Sequence, residues 1–461
     1  MPPQSNPRII IIGAGAAGIS AASRLIENGF ANVKILEAED RIGGRICTIN
    51  FGDGIVDLGA QYCHKDSVVY NLVKDLNLLD TTTIEGHVYN SKGERLEKGF
   101  VKILSDIVYD IYHHEKVENV KWKEYLKNQF DKEVEQHFTD ERDRSLARGN
   151  LDFIKKQLLL VTGSLCLNGA LGAVAGEYPS SERLSWKSHG YQALLDFLMK
   201  TYFKFKSAFQ FDDKIMLKNA VTNIEWGDES NIKVECANGS HYFADYVIIT
   251  ISLGALKKQH KTLFSPSLPP RKQKAIASLG FGSILKVAFY FPTKWWTNND
   301  YTFAWSEDDL NCALKSDYPW VTNCKGFYLL PNNANVLLAW FVGNSLLQIE
   351  SCTEDHLLDG AYYVLQKFLG KTFENITKPI KLERNAWLNN PYIGGALSYE
   401  TLESTSDGIT GETLAEVVVS KTGSPQLLFA GEATNKTEYA SVDSAIRSGF
   451  REAGRIINIC K

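Results

Sequence analysis

The feature that most constrains this chain is a strand, turn, helix and strand signal at its start. Arg8 to Ile12 is a β-branched apolar run, and Gly13-Ala14-Gly15-Ala16-Ala17-Gly18 follows it directly. Ile19 to Glu27 reads as a small-residue helix and Val33 to Glu37 as the next strand. Two strands joined by a helix in so few residues read as a βαβ unit, hence a parallel sheet. In such a unit Gly13 makes the tight turn, Gly15 lets the backbone approach a pyrophosphate, and Gly18 packs the helix on the strand. Ala16 and Ala17 open a helix whose free N–H groups and positive dipole end suit a diphosphate. Glu37, at the end of the second strand, is placed to accept hydrogen bonds from ribose hydroxyls and would repel a 2′-phosphate. A structural βαβ unit with no ligand is the alternative.

The rest of the chain bounds the class. Its 461 residues suggest two or three domains. Lys plus Arg is 50 and Asp plus Glu is 54, a formal charge of −4, so there is no basic footprint for nucleic acid. A hydrophobic share of 44% with 23% charged residues excludes global disorder, collagen and coiled coil. Eight cysteines without a C-x-x-C pair give neither a disulfide scaffold nor a zinc ribbon, and no metal centre is expected. No apolar run is long enough to span a bilayer, and the polar start does not read as a secretory signal. The ending Asn458-Ile459-Cys460-Lys461 is not a peroxisomal or ER address, so the expected location is cytoplasmic. The sequence fixes no oligomeric state, and a monomer is compatible with it.

Along the chain, Thr83 to Leu96 suggests hairpin strands, with turn residues at Asn90 to Gly93. Val101 to Leu160 is helical in pattern and highly charged, and Leu158 to Ala175 is apolar and reads as buried. Strands are expected at Ala220 to Trp226, Ile232 to Ala237, Tyr246 to Ile251, Lys286 to Phe291 and Leu427 to Ala430. Helices are expected at Glu354 to Leu369 and Ser444 to Ile459. The expected fold class is α/β. A Rossmann-like nucleotide-binding domain comes from segments 6–75, 187–285 and 395–461. An α+β substrate domain with a mixed sheet comes from 76–186 and 286–394.

After the second strand comes Glu37-Ala38-Glu39-Asp40-Arg41-Ile42-Gly43-Gly44-Arg45. Two arginines four apart around a Gly-Gly pair can embrace a diphosphate, and a charged surface turn is the other reading. Together with the glycine motif this stretch resembles the flavin-containing amine oxidase family, in which the second signature marks FAD rather than a nicotinamide cofactor. Phe429-Ala430-Gly431-Glu432-Ala433-Thr434 resembles the family's late FAD motif. By that resemblance Glu432 meets the ribityl chain. The helix entered through Ser441 and Val442 points its N-terminus at the flavin, where its dipole would stabilise the anionic reduced ring. Asp245 to Leu256 resembles the strand and turn beside the adenine half, and Val221 the residue whose backbone meets the adenine. The resemblance spans Arg8 to about Gly454.

Lys286, in Ser283-Ile284-Leu285-Lys286-Val287-Ala288-Phe289-Tyr290-Phe291, is the one cation of an apolar strand. Taken alone it reads as an edge or snorkelling lysine. The resemblance makes it the lysine that holds a water against flavin N5, with its pKa lowered by burial. Gly59-Ala60-Gln61-Tyr62-Cys63-His64 is similar to a segment of the animal polyamine oxidase branch whose histidine faces the substrate amine. His64 falls there, with Tyr62 beside it; a structural histidine is the alternative. Trp387 to Tyr399 resembles the flavin-side loop, with Trp387 near the ring and Tyr399 walling the amine site. Ala396 stands where monoamine oxidases carry the cysteine that bonds FAD, which implies non-covalent FAD, and Leu397 stands where they carry an aromatic. Glu177 and Asp443 are candidate anionic contacts for a polycation. The alternatives are a surface carboxylate for Glu177 and a helix N-cap for Asp443. Ser441, before Asp443, borders the same place. The resemblance implies an FAD-dependent oxidase of polyamines (spermine or its acetylated forms) that uses O2 and releases hydrogen peroxide. An oxidase of another amine and a silent FAD-binding scaffold are the alternatives.

Overall fold

The computed structural model describes residues 6–461 apart from 82–83, 114–121, 167–181, 201–210, 212, 228–230, 437 and 439. Four consecutive isoleucines form the strand Ile9–Ile12, and all four are buried. β-Branched side chains are stiff at χ1, and burial on both faces suits a parallel sheet covered on each side. This strand pairs in parallel with Val33–Leu36 on one edge and Tyr246–Ile249 on the other. The six-stranded sheet runs Val418–Val419, Pro425–Phe429, Tyr246–Ile249, Ile9–Ile12, Val33–Leu36, Ile215–Met216. Strand order reverses at Ile9–Ile12, with its chain neighbour on one side and a strand from far along the chain on the other. Such a switch point opens a crevice beyond the strands' C-terminal ends.

Gly13 leaves the first strand at φ 107°, a conformation that disfavours side chains, and a Cβ there would lie 2.6 Å from Thr250 Oγ1. The helix Ala16–Glu27 folds back so closely that a Cβ on Gly18 would lie 2.0 Å from the Gly13 carbonyl oxygen. The last helix, Val442–Ile459, lies against it, and a Cβ on Gly449 would be 2.2 Å from the Ala17 carbonyl. Both helices therefore begin at the same crevice.

A second six-stranded sheet runs Lys381–Arg384, Leu285–Tyr290, Val336–Phe341, Cys324–Leu329, Asn299–Ala304, Glu85–Asn90. It is antiparallel except for its last pair. Period-2 alternation sorts its side chains. Leu285, Val287 and Phe289 enter an aromatic core shared with the helix Glu354–Leu369, where the Phe303 and Phe368 rings stack at 4.4 Å. Lys286 and Ala288 take the opposite face, where Ala288 packs on Val56 and Leu58. The first sheet draws its strands from residues 9–36, 215–249 and 418–429, and the second from 85–90 and 285–384.

One expectation is corrected. The stretch after Thr83 (itself outside the described residues) does not form a hairpin of two strands. Glu85–Asn90 turns at Asn90 to Gly93 and returns only as a short arm, with Asn90 N donating to the Glu94 carbonyl at 3.0 Å and Leu96 N to the Val88 carbonyl at 2.8 Å, while the strand pairs in parallel with Asn299–Ala304. The return is cut short because the helix Lys98–His113 begins at once. The charged segment is helical as expected, in the helices Lys98–His113, Trp122–His137, Glu141–Arg148 and Leu151–Thr162. Of the apolar run after Leu158, the part from 167 onward lies outside the described residues.

Candidate active site

A cavity of about 350 Å3 runs from the switch point of the first sheet to the face of the second that carries Lys286. Its first end is built by the βαβ unit: Gly13, Gly15, Ala16 and Ala17 line it, with Glu37 and Ala38 beside them and Val221 nearby. Glu37 is buried, and its carboxylate accepts hydrogen bonds from Ala14 N at 2.7 Å and Glu39 N at 2.9 Å. Burial raises its pKa, and the two amide donors pull it back. Gly18 stays off the wall, packed on the strand as its position in the motif demands.

The two arginines separate. Arg45 lines the cavity and donates to Glu432 Oε1 at 2.7 Å and to the Ala396 carbonyl at 2.8 Å. Arg41 is corrected: it does not line the cavity, because its guanidinium donates to the carbonyls of Ile42, Gly44 and Ile46 and pairs with Glu39. It braces the Gly43-Gly44 loop from behind while Gly44 faces the cavity. Glu432 is nearly fully buried, and its other oxygen accepts from Ser398 Oγ and from Ala440 N at 2.9 Å. Gly431, Glu432, Ser441 and Val442 all line the wall. Ser441 is the N-cap of the last helix, accepting from Ser444 N at 3.0 Å, so a second helix N-terminus opens on the cavity.

At the far end Gly59, Ala60, Gln61, Tyr62, Trp387, Ala396 and Leu397 line the wall together with Lys286. Lys286 is buried; its Nζ donates to the Gly59 carbonyl at 2.7 Å and to Gln61 Oε1 at 2.8 Å. The same Nζ sits 4.5 Å from the Trp340 ring, which stands opposite Lys286 in the sheet. Burial lowers the lysine's pKa, and the Asp57 carboxylate raises it again. Trp340 also meets Tyr62, with ring centroids 6.4 Å apart.

Three further expected contacts are placed elsewhere. Asp443 is not the N-cap and does not line the cavity; its Oδ1 accepts from Val69 N at 2.8 Å, at the start of the helix Val68–Val73. His64 follows Tyr62 on the same face of the strand Tyr62–His64 but is not on the cavity wall. Tyr399 lies off the wall as well, with its ring packed on Gly280 and its hydroxyl 3.4 Å from Ser164 Oγ. Glu177 lies outside the described residues. The wall also includes Thr250 and Ser252, from the expected adenine-side strand and turn, and Trp340 and Asn219, which the sequence reading did not single out.

The family model for flavin containing amine oxidoreductases matches residues 16–457. A human protein named peroxisomal N(1)-acetyl-spermine/spermidine oxidase is 28% identical, over 98% of this chain and 95% of its own length. An Arabidopsis thaliana protein named probable polyamine oxidase 5 is 26% identical, over 98% of each chain. A solved structure of a redesigned putrescine oxidase shares the fold, with a TM-score of 0.67 at 18% identity, covering 98% of this chain and 99% of that one.

The walls fit FAD. A glycine-lined helix N-terminus and Arg45 suit a diphosphate, Glu37 suits a ribose, and the Lys286 end has room and aromatic sides for a ring system. From the dinucleotide turn through the Arg45–Glu432 pair to the last helix, the chain belongs to the flavin-containing amine oxidoreductase family, with FAD as its cofactor.

Proposed function

We propose that this protein oxidises polyamines, such as spermine or its acetylated forms, with O2 as the acceptor. The observation that carries the reading is Lys286, a buried cation at the aromatic end of an FAD-shaped cavity. Held by Arg45, Glu37 and the two helix N-termini, FAD would supply a two-electron acceptor for the hydride on the carbon beside the amine nitrogen, with O2 as the final acceptor and hydrogen peroxide as its product. Water then hydrolyses the imine product to an aldehyde and a shorter amine. The residues' part is positional. Tyr62, Trp340 and Leu397 form an apolar slot for the methylene chain, and Lys286 with Gln61 gives a polar point at which a water is held. Ala396 has no nucleophile, which supports non-covalent FAD. The division into an FAD-binding and a substrate-binding domain is part of the same reading. Eight free cysteines accord with a reducing compartment such as the cytosol. Among the described residues no helix is long and apolar enough to cross a membrane.

One observation favours a second reading, an oxidase of a different amine. Asp443 lies off the cavity wall, with its Oδ1 accepting from Val69 N, so it is not placed where the cavity would present it to a second ammonium. Anaerobic bleaching of the bound flavin by a panel of amines decides between them. Reduction by spermine, spermidine or their acetylated forms, reversed by air with peroxide formed, supports the polyamine reading. Reduction by monoamines alone replaces it with the second reading, and a flavin reduced by dithionite but by no amine rejects both.

The two arginines give a separate check. Arg45→Ala should weaken FAD retention by roughly 10- to 100-fold, the loss of charge-assisted hydrogen bonds worth about 1.5–3 kcal/mol. Arg41→Ala should lower the melting temperature while leaving FAD affinity within a few-fold. Titration of each cofactor-stripped variant with FAD, beside its thermal melt, reads both.

A further inference from the structure

We propose that Glu350 is a positioning residue for the cofactor cavity. Its buried carboxylate holds the segment that carries Trp387, so FAD retention depends on a group that lies off the cavity wall. Glu350 belongs to the short helix Leu346–Ser351, whose Leu346 and Ile349 are anchored in the aromatic core of the second sheet. It is 6% exposed. The nearby Arg384 guanidinium donates to the Cys352 carbonyl at 2.6 Å rather than to this carboxylate. A buried carboxylate needs strong donors in place of water. Glu350 has two: Oε1 accepts from Leu388 N and Oε2 from Asn389 N, each at 2.9 Å. Burial raises its pKa, and these two amides pull it back.

The two amides follow Trp387 directly. Trp387 is nearly fully buried, packs with Cys47 and Ile393, and lines the cavity together with Tyr392, Ile393, Ala396 and Leu397 of the same segment. Residues 385–396 belong to no strand, so no sheet ladder fixes this wall. Side chains fix it instead. On the dinucleotide side, Glu39 Oε1 accepts from Asn390 Nδ2 at 2.7 Å. Ser252 Oγ donates to the Ile393 carbonyl at 2.5 Å, and Arg45 to the Ala396 carbonyl at 2.8 Å. Glu350 holds the opposite end, from the part of the chain that carries the second sheet. The wall is thus strung between two anchorages. Loss of the Glu350 anchorage frees Trp387 to move away from the cavity.

The rate at which FAD leaves the diluted holoenzyme, followed as a rise in flavin fluorescence, tests this. Glu350→Gln keeps one acceptor but turns an NH2 group toward the second amide, and should release FAD roughly 10-fold faster. Glu350→Ala abandons both amides and should release it roughly 100-fold faster. Val364→Ala, a buried change in the same aromatic core, should lower the melting temperature at least as much as Glu350→Gln and leave FAD release at the wild-type rate. Hydrogen exchange of the peptide from Ala386 to Asn390 should quicken in the Glu350→Gln holoenzyme but not in Val364→Ala. Should Glu350→Gln not fold, Glu350→Asp carries the same test with a smaller factor, because both oxygens remain but sit one methylene back. Wild-type release in the Glu350 variants, or equally fast release in Val364→Ala, overturns the proposal. The inference rests on the FAD cavity and not on the amine, so a protein reduced by no polyamine would leave it standing.

Discussion

Gly15→Val is expected to give a folded protein that does not hold FAD. Gly15 has φ −79° and ψ −178°, extended backbone open to any residue. A Cβ there would meet only the Gly43 carbonyl oxygen, at 3.8 Å, so the fold has room for it. Gly15 is the N-cap of its helix without a side-chain cap bond, and valine at that position should cost about 1 kcal/mol or less. Beyond Cβ the added methyl groups project into the cavity, between the helix N-terminus and the place a diphosphate would occupy. Loss of that approach should weaken FAD at least about 100-fold, since several charge-assisted hydrogen bonds fail together. Circular dichroism and a thermal melt would stay close to wild type while the visible flavin absorbance disappears. Gly18→Val provides the contrast, because its Cβ would lie 2.0 Å from the Gly13 carbonyl and the strand–helix packing itself would fail. A yellow Gly15→Val protein with wild-type FAD affinity would mean that this cavity is not where FAD binds.

That contrast also explains which parts of the site are legible in the sequence. The glycine turn and Glu37 are local devices whose geometry follows from a few consecutive residues. The Arg45–Glu432 pair joins motifs far apart in the chain, but each motif is recognisable by itself. Side chains that depend on register are not legible in this way. Trp340 faces Lys286 only because Leu285–Tyr290 and Val336–Phe341 pair at that offset, and a slip of one residue would turn it to the other face. Arg41 and Asp443 have the right chemistry for a ligand, yet nearby backbone groups claim them: three carbonyls for Arg41 and the Val69 N–H for Asp443. Composition and spacing identify a charged group but not the partner that satisfies it. The segment Glu85–Asn90 makes the same point for the fold, since its turn residues are local and its partner strand Asn299–Ala304 is not.

Lys286→Met should keep the fold and the FAD while lowering amine turnover by roughly 100- to 1,000-fold, through loss of the group that positions the water at the reacting end of the cavity. Methionine suits an apolar strand, and the Gln61 oxygen it abandons lines the cavity and can reach water. Asp57 loses its counter-charge, so burial should push that carboxyl higher still and favour its protonated form. The stability consequence has a definite sign. In the folded protein Lys286 is lowered from 10.5 to about 7. Between those values the unfolded chain binds a proton that the folded chain has released. Folded-state stability therefore falls as pH drops from about 10.5 to about 7 and is level in this respect below it. The methionine variant lacks that slope, so its melting temperature should rise relative to wild type as pH is lowered through the window. Parallel melting curves would mean that Lys286 titrates in the fold as it does in water. A variant with wild-type turnover would remove Lys286 from the chemistry and leave only the FAD cavity, because the glycine turn, Glu37 and the Arg45–Glu432 pair do not depend on it.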